Sequence, residues 1–82
     1  MEQATQLLES IIKSLVTNKD AVRIESRTDE MGVLLTLSIA KEDMGTVIGK
    51  AGQTANAIRL ILRVAGLKQS ARVNLKILEP QA

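Results

Sequence analysis

Apolar positions recur with two different periods along this chain, and the switches between them mark its elements. From residue 3 to 17, Ala4, Leu7, Leu8, Ile11, Ile12, Leu15 and Val16 follow the i, i+3, i+4, i+7, i+8 spacing of one helical stripe. The cluster Thr17-Asn18-Lys19-Asp20 ends that pattern in a turn. Residues 21–28 alternate, with Val22 and Ile24 on one side and Arg23, Glu25 and Arg27 on the other, which predicts a half-buried strand. Asp29-Glu30-Met31-Gly32 then predicts a hairpin turn. Residues 33–39 form the most apolar strand, with Val33, Leu35, Leu37 and Ile39 on one face and Leu34, Thr36 and Ser38 on the other. A short helix is expected at 41–48, where Glu42 and Asp43 suit the positive end of its dipole. Gly49 stops it, and a longer helix follows to about Ala65, with Gly66 expected just past its C-terminus. Leu67 to Ser70 is a connector. Residues 71–78 alternate again, Val73, Leu75 and Ile77 inward against Arg72, Asn74 and Lys76, and Pro80 closes this last strand.

The predicted order is α-β-β-α-α-β. A strand–helix–helix–strand crossover within one sheet leaves its two strands parallel. Strand 33–39 is therefore expected between an antiparallel hairpin partner and a parallel third strand, with three helices on one face. The fold class is α+β with a mixed three-stranded sheet. The whole chain, 1–82, is expected to be one domain with its core over about 4–78.

At the junction of the two later helices stands Thr46-Val-Ile-Gly-Lys-Ala-Gly-Gln-Thr-Ala55. Gly49 and Gly52, three apart at a helix start, lack a Cβ and let backbone approach a ligand closely. The helix N-terminus behind them offers unpaired N–H groups and a partial positive charge, and Lys50 adds a full one. Together these suit a phosphate. The same tetrad also serves, in other chains, as a plain helix–helix turn with capping glycines.

Charge supports the phosphate reading. The net charge is +2, but residues 1–43 hold eight acids and five bases, whereas residues 44–82 hold six bases and one acid. The basic half carries the glycine loop, as a nucleic-acid footprint requires. Composition narrows the chemistry further. There is no Phe, Tyr or Trp, so bases have no aromatic platform to stack on, and the core must be aliphatic. There is no Cys or His, which removes thiol nucleophiles, imidazole bases, zinc sites and disulfides. The acid pairs Asp29-Glu30 and Glu42-Asp43 are accounted for by a turn and a helix start. No Gly-Lys is followed by Ser or Thr, so no nucleotide-triphosphate loop is present. The chain is therefore expected to be neither an enzyme nor a carrier of a cofactor or metal. Nothing reads as a membrane span or a signal peptide, so a cytoplasmic location is the expectation.

The loop, Ile48-Gly49-Lys50-Ala51-Gly52 with Ile58 in the following helix, resembles the GXXG loop of KH (K-homology) domains. That family binds single-stranded nucleic acid and clamps the backbone of about four nucleotides. The element order resembles the type II KH fold, and the resemblance runs from about Leu7 to Leu78. Glu42-Asp-Met-Gly-x-Val-Ile-Gly-Lys50 looks like the small bacterial KhpA family. The resemblance implies RNA binding through Ile48, Gly49, Lys50, Ala51, Gly52, Gln53, Asn56 and Arg59. It also implies an RNA chaperone or post-transcriptional regulator, self-association, pairing with a larger KH protein, KhpB, and a link to cell-wall homeostasis and cell length. A dimerisation adaptor whose KH fold has lost RNA binding is the alternative, disfavoured by the intact glycines and Lys50.

Two surfaces remain open on the sequence. At about 100° per residue the long helix turns Thr54, Ala55, Ile58, Ile61, Leu62 and Ala65 to the core. Ala57, Leu60 and Val64 form a second apolar ridge, which either meets another copy of the chain in a two-fold dimer or is covered by the first helix. Arg63 either joins Asn56 and Arg59 at the RNA or belongs to a solvated face. Arg23, Arg27, Arg72 and Lys76 are read as solubilising, on the helix-free side of the sheet.

Overall fold

A computed structural model of the chain describes residues 2–78, with the side chain of Glu2 excepted. The expected role of Pro80 lies outside the described residues. Helix α1 spans Glu2–Leu15, strand β1 Arg23–Asp29 and strand β2 Gly32–Ser38. Helix α2 spans Met44–Ile48, helix α3 Gln53–Leu67 and strand β3 Val73–Leu78. Single 3-10 turns at Lys19–Ala21 and Lys41–Asp43 lead into β1 and α2. The order is α-β-β-α-α-β, as the periodicity predicts.

β2 is the central strand. It pairs antiparallel with β1, from Arg23 opposite Ser38 to Asp29 opposite Gly32, and parallel with β3, from Val33 opposite Val73 to Ser38 opposite Leu78. The hairpin register is set by a tight turn in which the Asp29 side chain accepts the Met31 N–H at 2.7 Å. Val33, Leu35 and Leu37 are buried beneath the helices, while Leu34, Thr36 and Ser38 face the open side. The buried core joins these to Ala4, Leu8 and Ile12 of α1, Val47 of α2, Ile58 and Leu62 of α3, and Val73 and Leu75 of β3. It is wholly aliphatic. β1 is covered only at its start: Ile24 is half-buried, and everything from Glu25 to Asp29 is exposed.

Three expectations are corrected. Ile61 is not core but 46% exposed, because α1 and the sheet cover a narrower arc of α3, centred on Ala55, Ile58 and Leu62. Gly66 is not the residue past the helix end. It lies inside α3 and is buried, where a Cβ would come within 2.6 Å of Val73 Cγ2 and 2.7 Å of the Ala71 carbonyl oxygen. The residue that ends α3 is Ser70, at φ 56°. The Ser70 N–H reaches the Leu67 carbonyl at 3.1 Å and the Ala71 N–H the Gly66 carbonyl at 2.9 Å, the paired bonds of a left-handed helix cap. As a result β3 begins at Val73, and Arg72 precedes the strand rather than lying on its outer face.

Asp43 is buried, at 3% exposure, and its role exceeds that of a helix-start acid. One oxygen accepts the Thr17 N–H at 2.8 Å and the other the Asn18 N–H at 3.0 Å. The end of α1 is thereby tied to the entry of α2. The Thr17 backbone N–H, and then that of Asn18, hold the Asp43 carboxyl below its ordinary pKa, against the opposing effect of burial. A group whose folded pKa is depressed stabilises the fold above its unfolded pKa, near 4, and loses that contribution as pH falls through the lower folded value. Asp43→Asn should therefore lower the melting temperature at neutral pH. The gap to the native chain should close as pH drops below about 4. Thermal melts of both proteins at a series of pH values check this, and a gap independent of pH would contradict the ionic role.

Candidate nucleic-acid interface

Helices α2 and α3 lie end to end around residues 49–52, and that joint is the centre of the site. The Gly49 N–H closes α2 on the Gly45 carbonyl at 2.9 Å. Gly49 then takes φ 76° and ψ 172°, a conformation that side chains rarely adopt. A Cβ there would also stand 2.7 Å from Thr54 Cβ and 2.8 Å from the Thr54 backbone nitrogen. Gly49 is thus required both by its backbone and by the closeness of the first turn of α3. Gly52 is left-handed at φ 75° and ψ 12°, but a Cβ there would meet only Asn56 Nδ2, at 3.9 Å. Its constraint is conformational alone.

Between them Ala51 is left-handed too, at φ 55° and ψ 26°. The motif by itself did not signal this, because alanine has no preference for that region. With Lys50, the loop is a turn held by the Gly52 N–H on the Gly49 carbonyl at 3.2 Å, and it passes directly into α3. Lys50, Ala51 and Gln53 are exposed, and Ile48 and Gly49 half-buried. Lys50 makes no ion pair among the described residues, where the one such pair is Lys13–Glu9. An exposed, unpaired lysine therefore stands beside the start of a helix of fifteen residues, whose first N–H groups and dipole favour an anion.

From this loop a polar strip follows α3 along the outer edge of β3. Asn56 is exposed one turn beyond Gly52, and Arg59 Nη1 donates to Asn56 Oδ1 at 3.3 Å. Arg59 Nε donates to the Leu75 carbonyl oxygen at 3.4 Å, which holds the half-buried arginine across the gap between α3 and β3. Arg59 is therefore held between α3 and β3 by its bonds to Asn56 and Leu75. Gln53, one i, i+3 step before Asn56, is exposed at the first position of α3, and its side chain makes no hydrogen bond among the described residues. The Leu75 carbonyl was not foreseeable as part of the site, because backbone exposure at a sheet edge leaves no mark on residue type.

The apolar ridge is also exposed. Ala57 is open to solvent, Leu60 is 57% and Val64 52% exposed, and Ile61 and Leu67 extend the stripe. α1 does not cover it, which decides that open alternative against packing by the first helix.

Comparison with known proteins gives the chain's relatives. The family model described as KhpA/KhpB, KH domain matches residues 5–77. The chain is 47% identical to RNA-binding protein KhpA of Clostridium acetobutylicum over 73 residues, covering 89% of this chain and 97% of that one. It is 41% identical to RNA-binding protein KhpA of Caldanaerobacter subterraneus subsp. tengcongensis, with the same coverage. It is 38% identical to RNA-binding protein KhpA of Borreliella burgdorferi over 74 residues, 90% of each chain.

The two loop glycines should respond differently to substitution. Gly52→Asn needs only a left-handed residue, which asparagine tolerates, and should cost less than about 1 kcal/mol. Gly49→Ala adds a clash with the backbone of Thr54 and should cost more than about 2 kcal/mol. Urea denaturation of both variants checks the ranking.

Proposed function

Because the chain belongs to the KhpA/KhpB KH-domain family, we propose that it binds single-stranded RNA through the Gly49–Gly52 loop and works as a non-enzymatic RNA chaperone or post-transcriptional regulator in the cytoplasm. The observation that carries this reading is the joint between α2 and α3. Its two positive-φ glycines put no side chain of their own beside the start of α3, and Lys50 stands exposed next to them with no ion pair among the described residues. An RNA phosphate enters over Gly49–Gly52. The strand then follows Asn56 and Arg59, with Ile48 as apolar wall. Aliphatic side chains replace the aromatic platforms that this chain lacks.

The second part of the reading is a two-fold homodimer through α3. Ala57, Leu60 and Val64, joined by Ile61 and Leu67, form an apolar stripe on a face that no other element of the fold covers. A symmetric contact along one helix buries such a stripe against itself. Family resemblance adds a KhpB-like KH protein as a further partner, with a role in cell-wall homeostasis and cell-length control.

Two experiments test these parts separately. Lys50→Asp with Ala51→Asp puts two negative charges where the phosphate sits. Aspartate tolerates the left-handed position at 51, so the fold is retained. Affinity for single-stranded RNA, read by fluorescence anisotropy, should fall by about tenfold or more, close to 1.4 kcal/mol. Unchanged binding would leave the adaptor reading in its place.

For assembly, Leu60→Asp buries like charges at a two-fold contact, a cost of several kcal/mol on association. Since Leu60 is exposed in the single chain, the variant should stay folded. Sedimentation should show a native dimer and a variant monomer with native circular dichroism. A native chain that is monomeric at high micromolar concentration would remove the homodimer.

A further inference from the structure

The two edges of the sheet differ. On β3, the Arg59 guanidinium is bonded to the Leu75 carbonyl. On β1, the Arg23 guanidinium turns back to the carbonyls of Asp20 and Val22, at 2.9 and 3.0 Å, and leaves the rest of the edge open. Every residue of β1 but Ile24 is exposed. The strand pairs with β2 without a bulge and holds no proline, so charge is the one feature that blunts this edge. Those charges alternate in sign. Arg23, Glu25, Arg27 and Asp29 share the open face, since Ile24, Ser26 and Thr28 stand opposite the buried Leu37, Leu35 and Val33. Their own sheet gives Glu25 and Arg27 no partner. The residues opposite them are Thr36 and Leu34, and neither Glu25 nor Arg27 makes an ion pair among the described residues.

We propose that β1 is a self-complementary edge, on which a second copy of the chain pairs antiparallel about a two-fold axis through Ser26, joining the two sheets edge to edge. In that register Ser26 meets its counterpart. Glu25 meets Arg27 of the other copy, Arg23 meets Asp29, and Ile24 meets Thr28. Every charged position of the strand therefore faces its opposite, and the axis repeats each pair. Opposite charges directly across a ladder stabilise it, and like charges destabilise it. The register is also exclusive. A two-fold axis normal to the sheet keeps open face beside open face, so the alternatives are slips by two residues. A slip one way sets Glu25 against Glu25 and Arg23 against Arg27. The other sets Arg27 against Arg27 and Glu25 against Asp29. Both place like charges together. Either class of antiparallel pair can lie on the axis, so the existing ladder with β2 imposes no conflict. Ser26 and Thr28 are exposed on the helix side, so the helices leave this stretch of edge uncovered. The contact is isologous and uses both β1 edges, so it closes at two copies. Both helical layers then lie on one side of the joined sheet, and so do the two Gly49–Gly52 loops. The inference is independent of what those loops bind and of the α3 ridge.

The chain has no cysteine, so one introduced at the axis reports the register. Opposite residues of an antiparallel pair have Cα atoms about 4.5 or 5.5 Å apart, within the reach of a disulfide. In the proposed register residue 28 and its counterpart are about 13 Å apart, beyond that reach. The test is made in the Leu60→Asp background, so that contact along α3 makes no contribution. A single strand edge buries little area, so covalent trapping reads the pairing where sedimentation sees monomer. In a glutathione redox buffer, Ser26→Cys should form a disulfide dimer about tenfold or more faster than Thr28→Cys, read on non-reducing gels. Rates are normalised to alkylation of each thiol by iodoacetamide. Both positions are exposed, so native circular dichroism is expected.

Charge changes then test the pairing itself. Within the Ser26→Cys chain, Glu25→Arg and Arg27→Glu should each slow crosslinking by about tenfold, because each turns attractive pairs into repulsive ones. Mixed together, the two variants complement each other, and intact mass should find chiefly the mixed dimer. Both changes in one chain should restore the original rate. That double change keeps the net charge, which separates register from general attraction. Equal crosslinking at residues 26 and 28 would overturn the pairing. So would a double variant as slow as the single ones, or a mixture whose products are statistical.

Discussion

Parallel pairing of β2 with β3 is the constraint on which the remaining structure depends. Two parallel neighbours cannot be joined by a hairpin, so the chain must leave the top of β2, cross the sheet and return to the bottom of β3. α2 and α3 make that crossing. They do so with only four residues, 49–52, between them. The left-handed backbone of Gly49, Ala51 and Gly52 is the geometric result. The loop that exposes N–H groups and Lys50 is thus produced by the need to close a sheet. Asp43 serves the same end from the other side, since its bonds to Thr17 and Asn18 fix where α2 begins.

Most of the fold was legible because the periods are clean. Val33, Leu35 and Leu37 against Leu34, Thr36 and Ser38 identify a one-sided central strand, and the stripe from Ala4 to Val16 identifies α1. The glycine spacing located the joint between helices. What was hidden depends on neighbours distant in sequence. Ile61 satisfies the helical period as well as Ile58 does, but it is 46% exposed where Ile58 is buried. Gly66 looks like a helix terminator, yet it is glycine because Val73 and the Ala71 carbonyl leave no room for a methyl group. Ser70 ends the helix although nothing in a serine announces a left-handed residue. Asp43 is the clearest case. An acid at a helix start has an adequate local explanation, and its actual partners lie 26 and 25 residues away.

The site was legible to a similar extent. Gly49, Lys50, Ala51 and Gly52 are where the spacing put them. Gln53, Asn56 and Arg59 follow them at three-residue steps along α3. Arg59 proved to be anchored to backbone, and Arg72 moved from an outer sheet face to a position before the strand once the register of β3 was known. Both shifts follow from strand position, which alternation alone fixes only to within a residue or two. Charge asymmetry pointed to the half of the chain that carries the glycine loop, while the hydrogen bonds and exposure of each cation needed coordinates.

The bond from Arg59 to the Leu75 carbonyl has a consequence for how this protein avoids self-templating. β3 is an edge strand, and its outward carbonyls and N–H groups would accept an added strand from any unfolded neighbour. A guanidinium held across the middle of that edge occupies the carbonyl an incoming backbone would need and blocks the approach with a charge. Growth of the sheet across its β3 edge is interrupted at the centre of that edge. The same arginine that ties α3 to β3 therefore also guards this edge of the sheet.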